Sequence, residues 1–170
     1  MEQDEAIALI SAAVPGGGGT WADLGAGAGT FTRALASLLG ANGTVYAVDR
    51  DARALREIAG ARIETVVGDF TERLELPLLD GVVIANALHY VPYPDQARVL
   101  GQVASLTAEG APIVVVEYER RNANPWVPYP ITIARLADIA RAAGLGAPTP
   151  LASRPSRFSG TIYSAVVRHR

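Results

Sequence analysis

Residues 20 to 30 read Thr20-Trp21-Ala22-Asp23-Leu24-Gly25-Ala26-Gly27-Ala28-Gly29-Thr30, a short apolar run that closes on an acid and opens into three alternating glycines. Glycine has no Cβ, so such a stretch lets the main chain turn sharply and lets a ligand approach it where a strand hands over to a helix. The stretch predicts a strand over 21–24, a glycine turn of nucleotide-binding geometry, and then a helix with Phe31, Ala34, Leu35, Leu38 and Leu39 on its apolar face. Gly40 and Asn42-Gly43 end that helix. Upstream, Ile7, Leu9, Ile10, Ala13 and Val14 recur at roughly helical spacing between Glu2 and Val14, before Pro15 and four glycines. Residues 1–19 therefore read as an N-terminal helix and a loose linker. The four glycines are not a P-loop, because no Lys-Ser or Lys-Thr follows them.

Downstream the pattern alternates. Strands are predicted over 44–48, 63–67, 81–85 and 112–116, and helices over 51–59, 96–106 and 132–143, with Gly144 as the last helix stop. The strand runs have few polar interruptions, which suits burial on both faces. The chain closes with an irregular strand near 151–158, a turn at Ser159-Gly160 and a strand over 161–167. Repeated strand, helix, strand predicts an α/β fold with a doubly wound, Rossmann-like, mostly parallel sheet, and 1–170 reads as one domain.

Composition excludes several chemistries. At 49% hydrophobic and 19% charged residues, the chain is an ordinary soluble domain with enough apolar mass for a core. A formal charge of −2 offers no field for nucleic acid or an anionic membrane surface, so neither is an expected partner. All 15 basic residues are Arg, which removes lysine chemistry. Cysteine is absent and only His89 and His169 are present, so neither a thiolate nucleophile nor a Cys- or His-rich metal site is available. The acidic start, Met1-Glu2-Gln3-Asp4-Glu5, does not resemble a signal peptide, and no apolar run has membrane-spanning length. A cytoplasmic location is the expectation.

In sheets of this kind, ligands bind outside the carboxyl ends of the strands. Here those ends are polar: Asp23 and the glycines, Asp49-Arg50, Gly68-Asp69-Phe70, Asn86-Ala87-Leu88-His89-Tyr90 and Glu117-Tyr118. Asp49 sits where a carboxylate accepts hydrogen bonds from both hydroxyls of a ribose, or else caps the helix that begins near Ala52. His89 is the histidine nearest this edge, a candidate base or a packing residue.

The acid followed by G-x-G-x-G, here Asp23, Gly25, Gly27 and Gly29, resembles motif I of the class I S-adenosylmethionine-dependent methyltransferases. The ordered polar series over residues 21 to 90 extends that resemblance beyond the loop. It implies the class I methyltransferase fold with an antiparallel C-terminal strand, and S-adenosylmethionine as cofactor. Asp23 would hold the turn or the cofactor's ammonium group, or merely cap the following helix. Asp49 would bind the ribose, and Asp69 with Phe70 the adenine, unless Asp69 is an ordinary loop acid. Arg50 and Asn86 join the cofactor set by position.

Methyl transfer from a sulfonium demands alignment more than covalent chemistry, and a hydroxyl or protonated amine acceptor adds the need for a base. His89 is then the candidate base. Tyr90 and Glu117 are second-choice bases or substrate contacts, although Glu117-Tyr118 could equally just end a strand. Residues 118–131 hold three prolines, Trp126 and Tyr129, and read as a lid over a small-molecule acceptor, with Arg120 or Arg121 toward an anionic group; a plain surface loop is the other reading. No metal is expected, since the acidic cluster of catechol-type enzymes is missing. Nor does the chain carry the N/D-P-P-Y/F motif of the base- and glutamine-modifying enzymes after the fourth strand.

A nicotinamide or flavin dinucleotide site is the rival within the fold. Its G-x-G-x-x-G/A pattern fails, because the sixth position is Thr30 counting from Gly25 and Thr32 counting from Gly27. A second reading from another class is a binding module that senses or scaffolds with the same cofactor and no turnover. The short chain implies an acceptor that is small, partly exposed, or shared across a homodimer.

Overall fold

The computed structural model describes residues 1–157 and 160–170. Phe158 and Ser159, to which the sequence assigns the end of a strand and part of a turn, lie outside the described residues. The elements run α1 (Gln3–Ile10), β1 (Gly19–Leu24), α2 (Thr30–Leu39), β2 (Gly43–Asp49), α3 (Ala52–Leu55), β3 (Ile63–Val67), β4 (Gly81–Ala85), α4 (Gln96–Ala104), β5 (Ile113–Glu119), α5 (Ile133–Ala142), β6 (Thr149–Pro155) and β7 (Thr161–Val167). Short 3₁₀ turns cover Gly40–Asn42 and Leu88–Tyr90. The strands make one sheet in the order β3-β2-β1-β4-β5-β7-β6. β1 to β5 are parallel, and β7 is antiparallel to both β5 and β6.

Strand order reverses between β1 and β4, which opens a crevice at their carboxyl ends. The pairing there depends on one large and one absent side chain. Trp21 lies fully buried against Gly81, its register partner, and a Cβ at Gly81 would sit 2.4 Å from the indole. Side chains alternate across β4 as a pleated strand requires. Val83 faces a core with Leu9 and Ile10 of α1 and Phe31 and Leu35 of α2. Val82 and Ile84 face the other core, with Val99 and Leu100 of α4 and Leu136 and Ile139 of α5. Helix α1 is tied to the sheet by Ser164 Oγ, which donates to the Leu9 carbonyl at 2.6 Å, and by the Glu5–Arg154 ion pair.

Four expectations need correction. The helix expected over 51–59 is a single turn: after Leu55 the amides of Arg56, Glu57 and Ile58 bond to carbonyls three residues back, not four, so the chain tightens and leaves the helix. The N-terminal helix stops at Ile10, and three-residue turns carry the chain to Val14. The glycine stretch after it ends one residue sooner than expected, because Gly19 already belongs to β1 and pairs with Gly43 of β2. β3 is an edge strand and not buried on both faces; Val67 is 64% exposed.

Candidate active site

The glycine turn is held to the neighbouring strand by its own main chain. The amides of Gly25 and Ala26 both donate to the Val48 carbonyl, at 2.9 and 3.0 Å. Gly25 needs its missing side chain: φ is +79°, and a Cβ would lie 2.6 Å from that of Ala87. Asp49, at the end of β2, completes the clamp. One oxygen accepts from the Gly27 amide and the other from the Asp51 amide, both at 2.8 Å. Each oxygen keeps a further lone pair for a ligand hydroxyl. Gly29, in the left-handed conformation, caps the start of α2 with its backbone alone.

A cavity of about 600 Å³ opens beside this turn. It brings together Gly25, Gly27, Asp49, Arg50, Asp69, Phe70, Asn86 and Tyr90, eight of the residues singled out in the sequence. Asp69 is poised by Thr71, whose amide and hydroxyl donate to one carboxylate oxygen at 2.9 and 2.7 Å. Partial burial pushes its pKa up, but these bonds and the nearby Arg50 outweigh that and hold it below the ordinary carboxylate value. Asn86 takes a positive φ of 51°, and its side-chain oxygen is buried without a hydrogen-bond partner among the described residues. An orphaned buried acceptor at a cavity wall is costly unless a ligand donor meets it.

Two of the expected cofactor residues do not reach this cavity. Asp23 is 1% exposed beneath the turn and accepts a 2.7 Å hydrogen bond from the Thr32 hydroxyl. Gly29 instead faces Ile58, whose side chain would overlap a Cβ there. Its partner Thr32 lies in the first turn of α2, so the geometry supports the last of the expectations for Asp23, a carboxylate that caps the following helix. Burial raises its pKa from 3.8 to about 6, opposed by the bonds from Thr32 and assisted by the Asp49 charge.

The sign of that shift makes a prediction. A carboxyl whose folded pKa lies above its unfolded value costs nothing below the unfolded pKa and destabilises fully once pH exceeds the folded one. Without cofactor, Asp23 should lower the unfolding free energy measured in urea between pH 4 and pH 6.5 by on the order of 2–3 kcal/mol, at about 1.4 kcal/mol per unit. Asp23→Asn, which keeps an acceptor for Thr32, should flatten that fall. Parallel profiles for the two proteins would remove the effect from Asp23.

A second cavity, about 590 Å³, adjoins the first through Asn86 and Tyr90, which line both. His89 stands on its wall, 2% exposed, in the 3₁₀ turn after β4. Its Nδ1 lies 2.6 Å from Glu117 Oε2, and its amide donates to Glu117 Oε1 at 3.1 Å. With Nδ1 engaged, Nε2 is left without a partner among the described residues. Glu117 is completely buried behind the imidazole, so the expected substrate contact is instead a support for His89. Tyr90 and Tyr118 flank the ring, with centroids 4.5 and 6.0 Å away.

The segment after β5 forms the outer wall. Asn124 and Val127 exchange main-chain hydrogen bonds at 3.1 Å, and Asn124 Oδ1 accepts from the amides of Trp126 and Val127. This rigid turn projects Trp126, 77% exposed, at the cavity mouth. Tyr129 does not share that wall. It packs edge-on against Tyr93, 5.3 Å between centroids, and its amide donates to the His89 carbonyl. Asn124 joins the wall without having been singled out, and so does Tyr118, which the sequence placed at the end of a strand but gave no role at the site. Tyr118 follows a buried run on β5, where alternation puts it on the opposite face from Glu117; Asn124 stands ahead of Pro125 in the kind of turn its side chain favours.

Comparison with known proteins agrees with this geometry. The fold and the glycine-turn cavity define the class, a nucleotide-binding doubly wound α/β protein whose β7 is inserted antiparallel between β5 and β6. A family model described as "Methyltransferase domain" matches residues 22–110, more than half of the chain, and the protein belongs to that family. It is of the class I S-adenosylmethionine-dependent type, with S-adenosylmethionine as cofactor. Among solved structures, the mitomycin 7-O-methyltransferase MmcR superposes with TM-score 0.73 at 19% identity, over 98% of this chain and 53% of that one. The Burkholderia thailandensis 1,6-didemethyltoxoflavin-N1-methyltransferase, bound to its substrate and S-adenosylhomocysteine, gives 0.72 at 22% identity, over 99% and 78%. YcgJ of Bacillus subtilis gives 0.75 at 10% identity, over 98% and 99%. These likenesses establish the fold. The chain spans about half the length of MmcR and of the calicheamicin methyltransferase CalO1. No curated protein matches the sequence significantly. Among the described residues no helix is long and apolar enough to cross a membrane.

Proposed function

We propose that the protein methylates a hydroxyl of a small-molecule acceptor, with the cofactor in the first cavity and the acceptor in the second. The observation that carries this reading is the shared wall at Asn86 and Tyr90, with the His89–Glu117 pair on the acceptor side. Several features of the first cavity fit the cofactor: the glycine cradle, the free lone pairs of Asp49, the apolar ring of Phe70 beside the turn, and the orphaned Asn86 oxygen. When bound, S-adenosylmethionine supplies a methyl group on a positively charged sulfur that leaves as a neutral thioether. Asp49 binds the ribose hydroxyls, Asp69 and Phe70 the adenine, and Asp23 braces the start of α2 beneath the turn. His89 takes the acceptor proton at Nε2. Glu117 fixes the tautomer with the proton on Nδ1 and stabilises the imidazolium that results.

Calorimetry checks the cofactor half. The wild type should bind S-adenosylmethionine, and Asp49→Ala should weaken binding roughly 10- to 100-fold, the worth of a charged hydrogen bond or two. Unchanged affinity would take Asp49 out of the site. Tight binding of a nicotinamide dinucleotide, with none of S-adenosylmethionine, would overturn the reading.

A further inference from the structure

The second cavity has a wall of one chemical kind. Three aromatic rings face it, from Tyr90, Tyr118 and Trp126, and two of them are strongly exposed, Tyr90 at 51% and Trp126 at 77%. Trp126 is held there by a hydrogen-bonded turn and is covered by nothing. One cation joins them. Arg120 is half-buried, spends only its Nε on the Asn122 carbonyl at 2.8 Å, and has no ion-pair partner among the described residues. Beside it, Asn124 has its side-chain oxygen occupied by two amides, which leaves its NH₂ as a donor. No Asp or Glu lines this cavity. Glu117 is sealed behind His89, and Glu119 turns away to accept from the Ile133 amide at 2.8 Å.

We propose that the acceptor is a planar aromatic compound carrying its own negative charge, with its ring against Tyr90, Tyr118 and Trp126 and its anionic group on Arg120 and Asn124. This rests on the second cavity being the acceptor site, as argued above. Aromatic walls alone would also suit a cation, through attraction to the ring faces. Arg120 decides between the two, because its fork repels an ammonium group and pairs with a carboxylate through parallel N–H bonds. The missing carboxylate points the same way, since a protonated amine would find no counter-charge on the wall. A hydroxyl on such a ring is also acidic enough for a neutral imidazole to deprotonate during methyl transfer.

The test uses the full chain saturated with S-adenosylhomocysteine, whose own binding is measured first by calorimetry. Failure at that step overturns the preceding reading of the cofactor site and this proposal with it. With S-adenosylhomocysteine bound, 3-hydroxy-2-naphthoate, 2-naphthol and 2-naphthylmethylamine are titrated in turn. The naphthoate should bind at least tenfold more tightly than the naphthol, and the ammonium compound most weakly. Arg120→Gln should erase the preference for the naphthoate, a loss of roughly 10- to 100-fold, and leave the S-adenosylhomocysteine affinity unchanged. Equal binding of the three compounds, a preference for the ammonium compound, no binding of any of them, or an undiminished preference in Arg120→Gln would overturn the proposal while leaving the cofactor site standing.

Discussion

His89→Asn should lower the turnover of a hydroxyl acceptor by roughly 10²- to 10⁴-fold, the usual worth of a positioned general base. Cofactor affinity should stay within about threefold, because His89 lines only the second cavity and touches none of the glycine turn. Asparagine is chosen because its amide still donates toward Glu117, which alanine would leave as a buried charge without a partner on that side. Glu117→Gln separates support from proton transfer. It keeps the side-chain shape and removes the charge that stabilises imidazolium, so turnover should fall, but less than in His89→Asn. A turnover of His89→Asn within threefold of the wild type, at saturating acceptor and at every pH, would remove the base role.

Gly25→Ala is expected to abolish measurable cofactor binding. At φ +79° an alanine carries backbone strain of about 1 to 3 kcal/mol. Its methyl group would also sit 2.6 Å from the Ala87 Cβ, so β1 and the segment after β4 must move apart. Overpacking of this kind costs about 1 to 3 kcal/mol more. The displaced amides of Gly25 and Ala26 are those that clamp the turn to Val48, so the cradle is lost even where the fold survives. Calorimetry beside a thermal melt tells binding from unfolding. A folded Gly25→Ala protein that binds S-adenosylmethionine within threefold of the wild type would contradict the role given to this turn. Gly27 is a useful contrast: a Cβ there meets nothing within 4 Å, so its alanine variant should lose less.

The sheet was legible in the sequence because its strands are nearly unbroken β-branched or small apolar runs; 63–67, 81–85 and 161–167 match the observed β3, β4 and β7 to the residue. What misled was burial and length. β3 carries Glu64 and Thr65 in its middle where β4 carries Val82 and Val83, a local polar signal of the edge that a reading of the apolar runs alone passes over. The helix after β2 looked three turns long because Leu55 and Ile58 recur at helical spacing, and both are indeed buried; turns with three-residue hydrogen bonds satisfy that spacing as well as a helix does.

The site divides along the same line. Residues that follow strands directly, such as Asp49, Asp69, Asn86 and His89, gather at the crevice because topology alone brings them there. The partnership of His89 with Glu117 needs the pairing of β4 with β5 and the alternation that turns Glu117 inward, so neither residue announces the other in sequence. Tyr129 failed as a wall residue for the opposite reason. Its aromatic character suggested a lid, but the ring contact with Tyr93 and the hydrogen bond that Gln96 Nε2 of α4 donates to the Tyr129 carbonyl anchor that stretch. Trp126, only three residues earlier, escapes that anchor through the Asn124 turn.

In the proposed reaction the two cavities meet where the methyl group is passed. The most direct measurement is a crystal structure with S-adenosylhomocysteine. It should show the ribose on Asp49, the adenine beside Asp69 and Phe70, and the sulfur at the Asn86–Tyr90 wall facing the His89 cavity. A ligand bound elsewhere, or one whose sulfur faces away from His89, would contradict it.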